Sequence, residues 1–204
     1  MKSVLVMSAL FTFAAFASSC ASVHSSASAP AMSEAQMMEE MNTKWAAFAT
    51  PGAAHQVLNE RVGRWSLAVK MFMPGAPAPM ESTGTNEVKW IMDGRYLQDT
   101  TTGESMGQTF SGLGTMGYDN LKQKYVGTWV DNMGTGIGVA EGTYDAATRT
   151  WTYACHNPDL MAGGYVPARS VERMVDHNHM VMQVFQAGPD GKEYMCMEIS
   201  YTRI

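Results

Sequence analysis

The sequence predicts a mainly β protein, a single antiparallel up-and-down β-barrel of about ten strands, preceded by a signal peptide, a flexible tether and one or two short helices. From Arg64 onward, apolar and polar residues alternate with a period of two, which is typical of strands with one buried face. Turn-forming pairs such as Asp93-Gly94 and Asp119-Asn120 separate these segments, as in antiparallel hairpins. A meander of this size must protect its edge strands, and closure into a barrel does so.

Residues 1–19 are predicted to be a signal peptide, because Lys2 precedes an apolar run that is too short to span a membrane. An A-x-A-like cleavage site ends at Ala17, whereas residues 17–20 resemble a lipobox that lacks the usual Leu. In the second case Cys20 would be acylated, and the membrane would be contacted only through that lipid. We therefore expect an exported protein, either periplasmic or a membrane-anchored lipoprotein of the bacterial cell envelope.

Residues 20–32 are rich in Ser, Ala and Pro without apolar periodicity, which predicts a flexible tether. Residues 33–62 are predicted to be helical. Ser33 and Gln36 match a capping box, and five apolar residues follow at helical spacing: Met37, Met38, Met41, Trp45 and Phe48. A second short helical piece ends at Gly63. We expect this segment to flank the barrel or to lid it.

Residues 63–204 are predicted to form the barrel. About ten segments carry the strand pattern, namely 64–73, 87–92, 95–104, 106–118, 124–131, 135–144, 150–155, 165–175, 180–186 and 194–203. The fourth segment holds four glycines, which predicts bulges, sharp coiling or close backbone approach.

Charge and motif content exclude several classes of function. The formal net charge is -5 and no Lys/Arg cluster is present, so no nucleic-acid partner is expected. No Ser or Cys nucleophile with a His and an acid stands out, and no Gly-x-Ser-x-Gly occurs. We predict no catalytic residue and no cofactor, and we do not expect an enzyme. The acidic candidates are Asp99, Glu104, Asp131 and Glu141. A buried carboxylate beside Arg95 would make a polar spot inside an otherwise apolar barrel, and we expect such an ion pair to fix barrel geometry.

The methionine content raises the question of a copper site. The chain has 19 methionines, and three Met-x-Met pairs would each place two thioethers on one strand face: Met71/Met73, Met180/Met182 and Met195/Met197. Such thioethers select Cu(I), but Met also fills irregular gaps in cores. We expect core or pocket lining and no metal. Cys155 and Cys196 could form a disulfide in an oxidising compartment or remain two partly buried thiols, and the spacing leaves both open.

The first and last strands carry a recognisable pair. Gly63-Arg64-Trp65 opens the first strand and Arg203 closes the last, which resembles the lipocalin and fatty-acid-binding-protein superfamily. In that superfamily the Arg packs across the Trp at the closed end of the barrel, so this resemblance implies that Trp65 and Arg203 are a barrel-closing structural pair. Fold-level resemblance to haem-binding barrels of the nitrobindin type suggests an axial His, but no motif around the five histidines supports it.

A wider resemblance covers roughly residues 37–204. Gly94-Arg95-Tyr96-Leu97, Gly117-Tyr118-Asp119-Asn120 and Trp129 to Gly136 are similar to segments of a bacterial family known only as domain-of-unknown-function family 1579. This resemblance implies a lipocalin-like barrel and no established activity.

The candidate function is binding of a small apolar or amphipathic ligand in the barrel lumen. Ligand pockets are usually apolar with a few convergent polar groups. Seven residues fit this description, and Arg95 or a nearby carboxylate would orient a polar head: Trp90, Arg95, Tyr118, Trp129, Asp131, Met71 and Met73. The alternative is a structural or protein-interaction module of the cell envelope whose barrel interior is filled.

Overall fold

A computed structural model describes residues 32–204 of the chain. The predicted signal peptide, Cys20 and nearly all of the predicted tether lie outside the described residues. Three helical pieces come first: α1 (Glu34–Ala49), α2 (Ala53–Val57) and a 3-10 helix (Leu58–Arg61). The predicted capping box is present, since Ser33 and Gln36 bond reciprocally at the start of α1. No helix within residues 32–204 is long and apolar enough to cross a bilayer.

Ten antiparallel strands form a closed barrel in which each strand pairs with the next and β1 pairs with β10. The strands are β1 (Gly63–Met71), β2 (Met80–Ile91), β3 (Tyr96–Ser105), β4 (Gln108–Asp119), β5 (Lys124–Asp131), β6 (Gly138–Asp145), β7 (Thr150–Asp159), β8 (Gly164–Met174), β9 (His179–Ala187) and β10 (Glu193–Arg203). The predicted mainly β, up-and-down architecture of about ten strands is confirmed.

One end of the barrel is closed by α2 and the 3-10 helix, which we call the plug. Trp65 is fully buried there, and its indole Nε1 donates to the carbonyl of Arg61 at 3.0 Å. The Arg203 guanidinium lies 4.0 Å from the centroid of the Trp65 ring. It also donates to the carbonyls of Val62 and Glu60 at 2.6 and 2.9 Å. Arg203 therefore joins the last strand to the plug across Trp65.

The inner face of the barrel changes from buried to half-buried between its two ends. On β1, Trp65 and Leu67 are buried, whereas Val69 and Met71, further from the plug, are half-buried. The inner residues of β3 and β8 likewise change from buried near the plug to half-buried further from it. Because these side chains all point inward, the barrel is packed solid near the plug and gives solvent access at the opposite end. We call that opposite part the open half.

Helix α1 does not lid the barrel. None of its residues is buried, although its apolar residues have the predicted helical spacing. Its end is held at the plug side of the barrel by Asn120, whose side chain Nδ2 lies 3.0 to 3.1 Å from three carbonyl oxygens of residues 47–50. The helix therefore flanks the barrel, and its apolar face has no partner among residues 32–204.

Each of the three methionine pairs was predicted to share one strand face, and for two of them this is wrong. A β-bulge at Cys196 places Met195 opposite Phe185 and Met197 opposite Val184, which are successive residues of β9 and point to opposite sides. Met73 lies beyond the end of β1 and is 53% exposed. Only Met180 and Met182 keep a common inner face.

Candidate ligand site in the open half of the barrel

The wall of the open half is apolar. Half-buried side chains from five strands pack against the core cluster and face the lumen: Val69, Met116, Ala168, Met182 and Met197. Methionine side chains are flexible and polarisable, so such a wall adapts its shape to a bound apolar group. The lining residues come from β1, β4, β8, β9 and β10, which alternate inward and outward along each strand.

A polar cluster lies where the apolar wall meets the packed half. The Asn86 amide Nδ2 donates to Asp99 Oδ1 and, at 2.8 Å, to Thr101 Oγ1, while the Thr101 hydroxyl donates to Asp99 Oδ1 at 3.3 Å. No group within residues 32–204 donates to Asp99 Oδ2. Burial raises the pKa of the Asp99 carboxyl, because the opposing effects of the Arg61 charge and the two hydrogen bonds are smaller.

Beneath this cluster lies a buried ion pair between the plug and the barrel wall. Arg61 of the 3-10 helix donates to Glu172 of β8, and each side chain is only 7% exposed. The guanidinium also lies 5.7 Å from the centroid of the Trp151 ring. Burial alone would lower the pKa of Arg61, but Glu172 and further neighbours outweigh it, so the pKa is raised. Arg61 is thus a permanently charged group whose partner is Glu172.

We call the place where the apolar wall meets the packed half the floor of the open half. Several polar atoms there lack good hydrogen-bond partners. Asn86 Oδ1 and Ser170 Oγ are buried and have no hydrogen-bond partner in the described part of the chain. The hydroxyl groups of Tyr153 and Tyr201 contact only methionine sulfur atoms, at 3.2 and 4.0 Å. Thioethers are weak acceptors, and buried polar groups are usually hydrogen-bonded. The floor therefore keeps hydrogen-bonding capacity that the protein itself does not use.

The mouth of the open half is shaped by Trp129. Its indole lies flat against β4, where a Cβ atom at Gly112 would collide with the ring. The indole Nε1 donates to Asp131 Oδ2 at 3.0 Å, and the ring stacks on Phe110 with a centroid distance of 6.4 Å. The predicted close approach at the glycines of this strand is thus the contact of the Trp129 indole with the wall at Gly112 and Gly114.

The structure divides the seven predicted ligand-binding residues into three groups. Met71, Trp129 and Asp131 lie in the open half, as described above. Trp90 and Tyr118 lie at the plug, since the Trp90 indole donates to Asn59 at 2.7 Å and the Tyr118 ring lies 5.8 Å from that of His55.

The remaining two predicted residues do not reach the lumen. Arg95 lies in the turn before β3 with its side chain 41% exposed, and it donates to the carbonyl of Met92. Met73 is exposed in the loop after β1. The arginine inside the barrel is Arg61, whose bonded carboxylate is Glu172, and Asp99 is a further inner-facing carboxylate whose pKa the Arg61 charge lowers against the effect of burial.

Sequence reasoning missed Asn86, Ser170 and the pair of Arg61 with Glu172. The period of two on β8 would have found Glu172 and Ser170, because they share an inner face with Met174. Arg61 gave no such signal, since its partner is 111 residues away in the chain.

Within residues 32–204, neither a metal-binding cluster of His, Cys, Asp and Glu side chains nor a disulfide bond is formed. No group of three or more His, Cys, Asp or Glu side chains within residues 32–204 is close enough to hold a metal ion. Cys155 and Cys196 are both free thiols, and they lie on β7 and β10, with β8 and β9 between them. Burial raises the pKa of the Cys155 thiol to about 11.

Together these features define a class of protein, a closed ten-stranded antiparallel barrel that is plugged at one end and open at the other. The chain belongs to the family described as "Protein of unknown function (DUF1579)", which matches residues 50–203. This confirms the resemblance to family 1579 given above.

A solved structure has a similar fold. The crystal structure of Rv2717c from M. tuberculosis superposes with a TM-score of 0.56 over 76% of this chain and 99% of that one, at 13% sequence identity. At this identity the similarity concerns the fold alone. None of the curated proteins compared with the chain matches it.

Proposed function

We propose that the protein binds a small apolar or amphipathic molecule in the open half of its barrel. The observation that carries this proposal is the coincidence of half-buried apolar walls with buried polar atoms that lack protein partners, Asn86 Oδ1 and Ser170 Oγ. A barrel built only for stability gains nothing from either feature, because unpaired buried polar atoms cost about 1–3 kcal/mol each.

The apolar body of the ligand would pack against Met116, Met182 and Met197, and each CH₂ group so buried contributes about 0.8 kcal/mol. Its polar end would reach the cluster around Asp99. Trp129 at the mouth would cover the end of the ligand that faces solvent. The packed half and the plug supply a rigid floor, so the site exists before the ligand binds.

The test is to fill the lumen without changing the outer surface. Ala168 points inward from β8, opposite Cys155 and Gln186, so Ala168→Phe places a ring in the open half. The matched control is Ala154→Phe, because Ala154 is exposed on the outer face of β7. With an uncharged solvatochromic dye as probe, we expect binding by the wild type and by Ala154→Phe, and at least a tenfold loss for Ala168→Phe. Equal dye binding by all three proteins would refute lumen binding.

The second candidate is a protein-interaction module that uses α1. Its apolar side chains are exposed, with Met37, Met41 and Trp45 at 53, 56 and 66%, and this unpartnered face supports that alternative. The two candidates respond differently to Ala168→Phe, which would leave any contact through α1 unchanged.

We also propose that the protein is exported and anchored to the membrane through a lipid on Cys20. The apolar run and the lipobox-like residues 17–20 support this, and the tether would then separate the barrel from the membrane. Metabolic labelling with a radioactive fatty acid should mark the wild type and not Cys20→Ser. An unlabelled wild type that is recovered in soluble periplasmic extracts would favour cleavage after Ala17.

A further inference from the structure

We propose that the open half selects ligands whose polar end donates hydrogen bonds, an alkylammonium before an alcohol, and that it discriminates against carboxylates. This inference rests on the proposed function and names the ligand class for the same site. The reason is that the arginine on the floor is already paired with a carboxylate, whereas the Asp99 carboxylate still has an unused oxygen.

Among residues 32–204, the only buried cation near the floor is Arg61, and it is not available to an anionic ligand. Arg61 is 7% exposed, is bonded to Glu172 and lies against the Trp151 ring. A ligand carboxylate could reach it only by displacing Glu172, which would leave that carboxylate buried without a partner. Breaking a buried pair in this way costs about 3–5 kcal/mol.

The hydroxyl groups of Ser170, Tyr153 and Tyr201 and the Trp151 indole can donate, but the charged and amide groups that remain available are acceptors. Asp99 Oδ2 receives no hydrogen bond from residues 32–204, and the Asp99 side chain is half-buried on the inner face of β3. Asn86 Oδ1 is buried without a partner on the neighbouring strand β2. The Asn86 amide orientation is fixed, because its Nδ2 donates to both Asp99 and Thr101, so its oxygen must point elsewhere. Two unused oxygen acceptors therefore lie on paired strands, with Asn86 opposite Thr101 and Asp99 two residues along β3.

The charges around Asp99 favour a cation over an anion. The charged group that acts on Asp99 from another element is Arg61 of the 3-10 helix, and both Asp99 and Glu172 of β8 act in turn on Arg61 and on Tyr201 of β10. Together these groups place two carboxylates and one guanidinium around the floor, and the guanidinium is already bonded to Glu172. An ammonium group would make charge-assisted hydrogen bonds to Asp99, which are about twice as strong as neutral ones. A carboxylate would meet a like charge.

The experiment compares three ligands with the same ten-carbon chain, decylammonium, decanol and decanoate, by calorimetry at pH 7 and below their micellar concentrations. We expect the wild type to bind decylammonium at least tenfold more tightly than decanoate, with decanol between them. Asp99→Asn should reduce the ratio of decylammonium to decanoate affinity to below threefold. Asp145→Asn is the matched control, because Asp145 is exposed at the end of β6, where it accepts hydrogen bonds from Ala147 and Thr148, and it should keep the wild-type ratio.

The outcomes separate this inference from the proposal beneath it. If none of the three ligands binds the wild type, lumen binding itself is wrong. If decanoate binds as tightly as decylammonium, lumen binding stands and the donor preference is overturned. If Asp99→Asn is folded by circular dichroism and still prefers decylammonium, Asp99 is not the recognising group, and the inference fails in that form.

Discussion

The buried pair between Arg61 and Glu172 should be the most sensitive electrostatic contact in the barrel. Replacing Glu172→Gln leaves the Arg61 guanidinium buried and without a charged partner. Because both side chains are only 7% exposed, the figure for a broken buried pair applies, about 3–5 kcal/mol of unfolding free energy. For a chain of this length, that loss lowers the melting temperature by about 6–20 °C.

The matched control is the surface pair of Arg169 with Glu193, whose side chains are 41% and 50% exposed. Arg169 also lies on an aromatic ring, that of Phe185 at 4.2 Å, so the two sites differ mainly in burial. Exposed pairs contribute under about 1 kcal/mol, and Glu193→Gln should change stability by no more than that.

The assay is guanidinium chloride unfolding followed by tryptophan fluorescence, with the wild type and both single variants measured in the same buffer. A double variant, Arg61→Met with Glu172→Leu, should recover stability to within about 1–2 kcal/mol of the wild type, because no unpaired charge remains. If Glu172→Gln lowers the free energy of unfolding by no more than Glu193→Gln does, the pair of Arg61 with Glu172 is not buried, and the description of the floor is wrong.

Three further predictions concern the floor and the mouth. Burial raises the pKa of Asp99, so the native state binds the Asp99 proton more tightly than the unfolded chain does. Stability therefore falls as the pH rises from the pKa of Asp99 in the unfolded chain to its raised pKa in the native state. Asp99→Asn should therefore be more stable than the wild type at pH 7, with the gain vanishing below about pH 4, measured by urea unfolding at both pH values. Gly112→Ala should push the Trp129 indole from the wall, reduce decylammonium affinity at least tenfold and cost about 1–3 kcal/mol, measured by calorimetry and urea unfolding. The pKa of Cys155 is raised to about 11, so its alkylation by iodoacetamide at pH 8 should be far slower than that of free cysteine, and rapid alkylation would contradict its burial.

The barrel could be predicted from the sequence because its signals are local. The period of two, the turn residues and the Gly-x-Trp opening each depend on a few neighbouring residues, and they placed most strands within a few positions. The pattern could not show the bulge at Cys196, because a single inserted residue reverses the facing of Met195 while leaving the composition of β10 unchanged.

The site was harder to predict because its contacts are distant in the chain. Asp99 meets Asn86 across paired strands, and Arg61 meets Glu172 only after the barrel closes onto the plug. Arg95 was favoured because it was expected to be the first residue of the third strand, but β3 begins only at Tyr96, and the Arg95 side chain lies in the turn before it. Helix α1 shows the converse error, since an amphipathic pattern predicts a partner that the barrel does not supply.

Native mass spectrometry tests most directly whether the open half holds a small molecule. The wild type and Ala168→Phe would be purified from the protein's own cells under identical conditions. We predict a wild-type mass that exceeds the chain by one small organic molecule, released on denaturation and carrying an amine or hydroxyl group, and a bare chain for Ala168→Phe. A bare wild-type chain, or the same bound mass on both proteins, would contradict lumen binding.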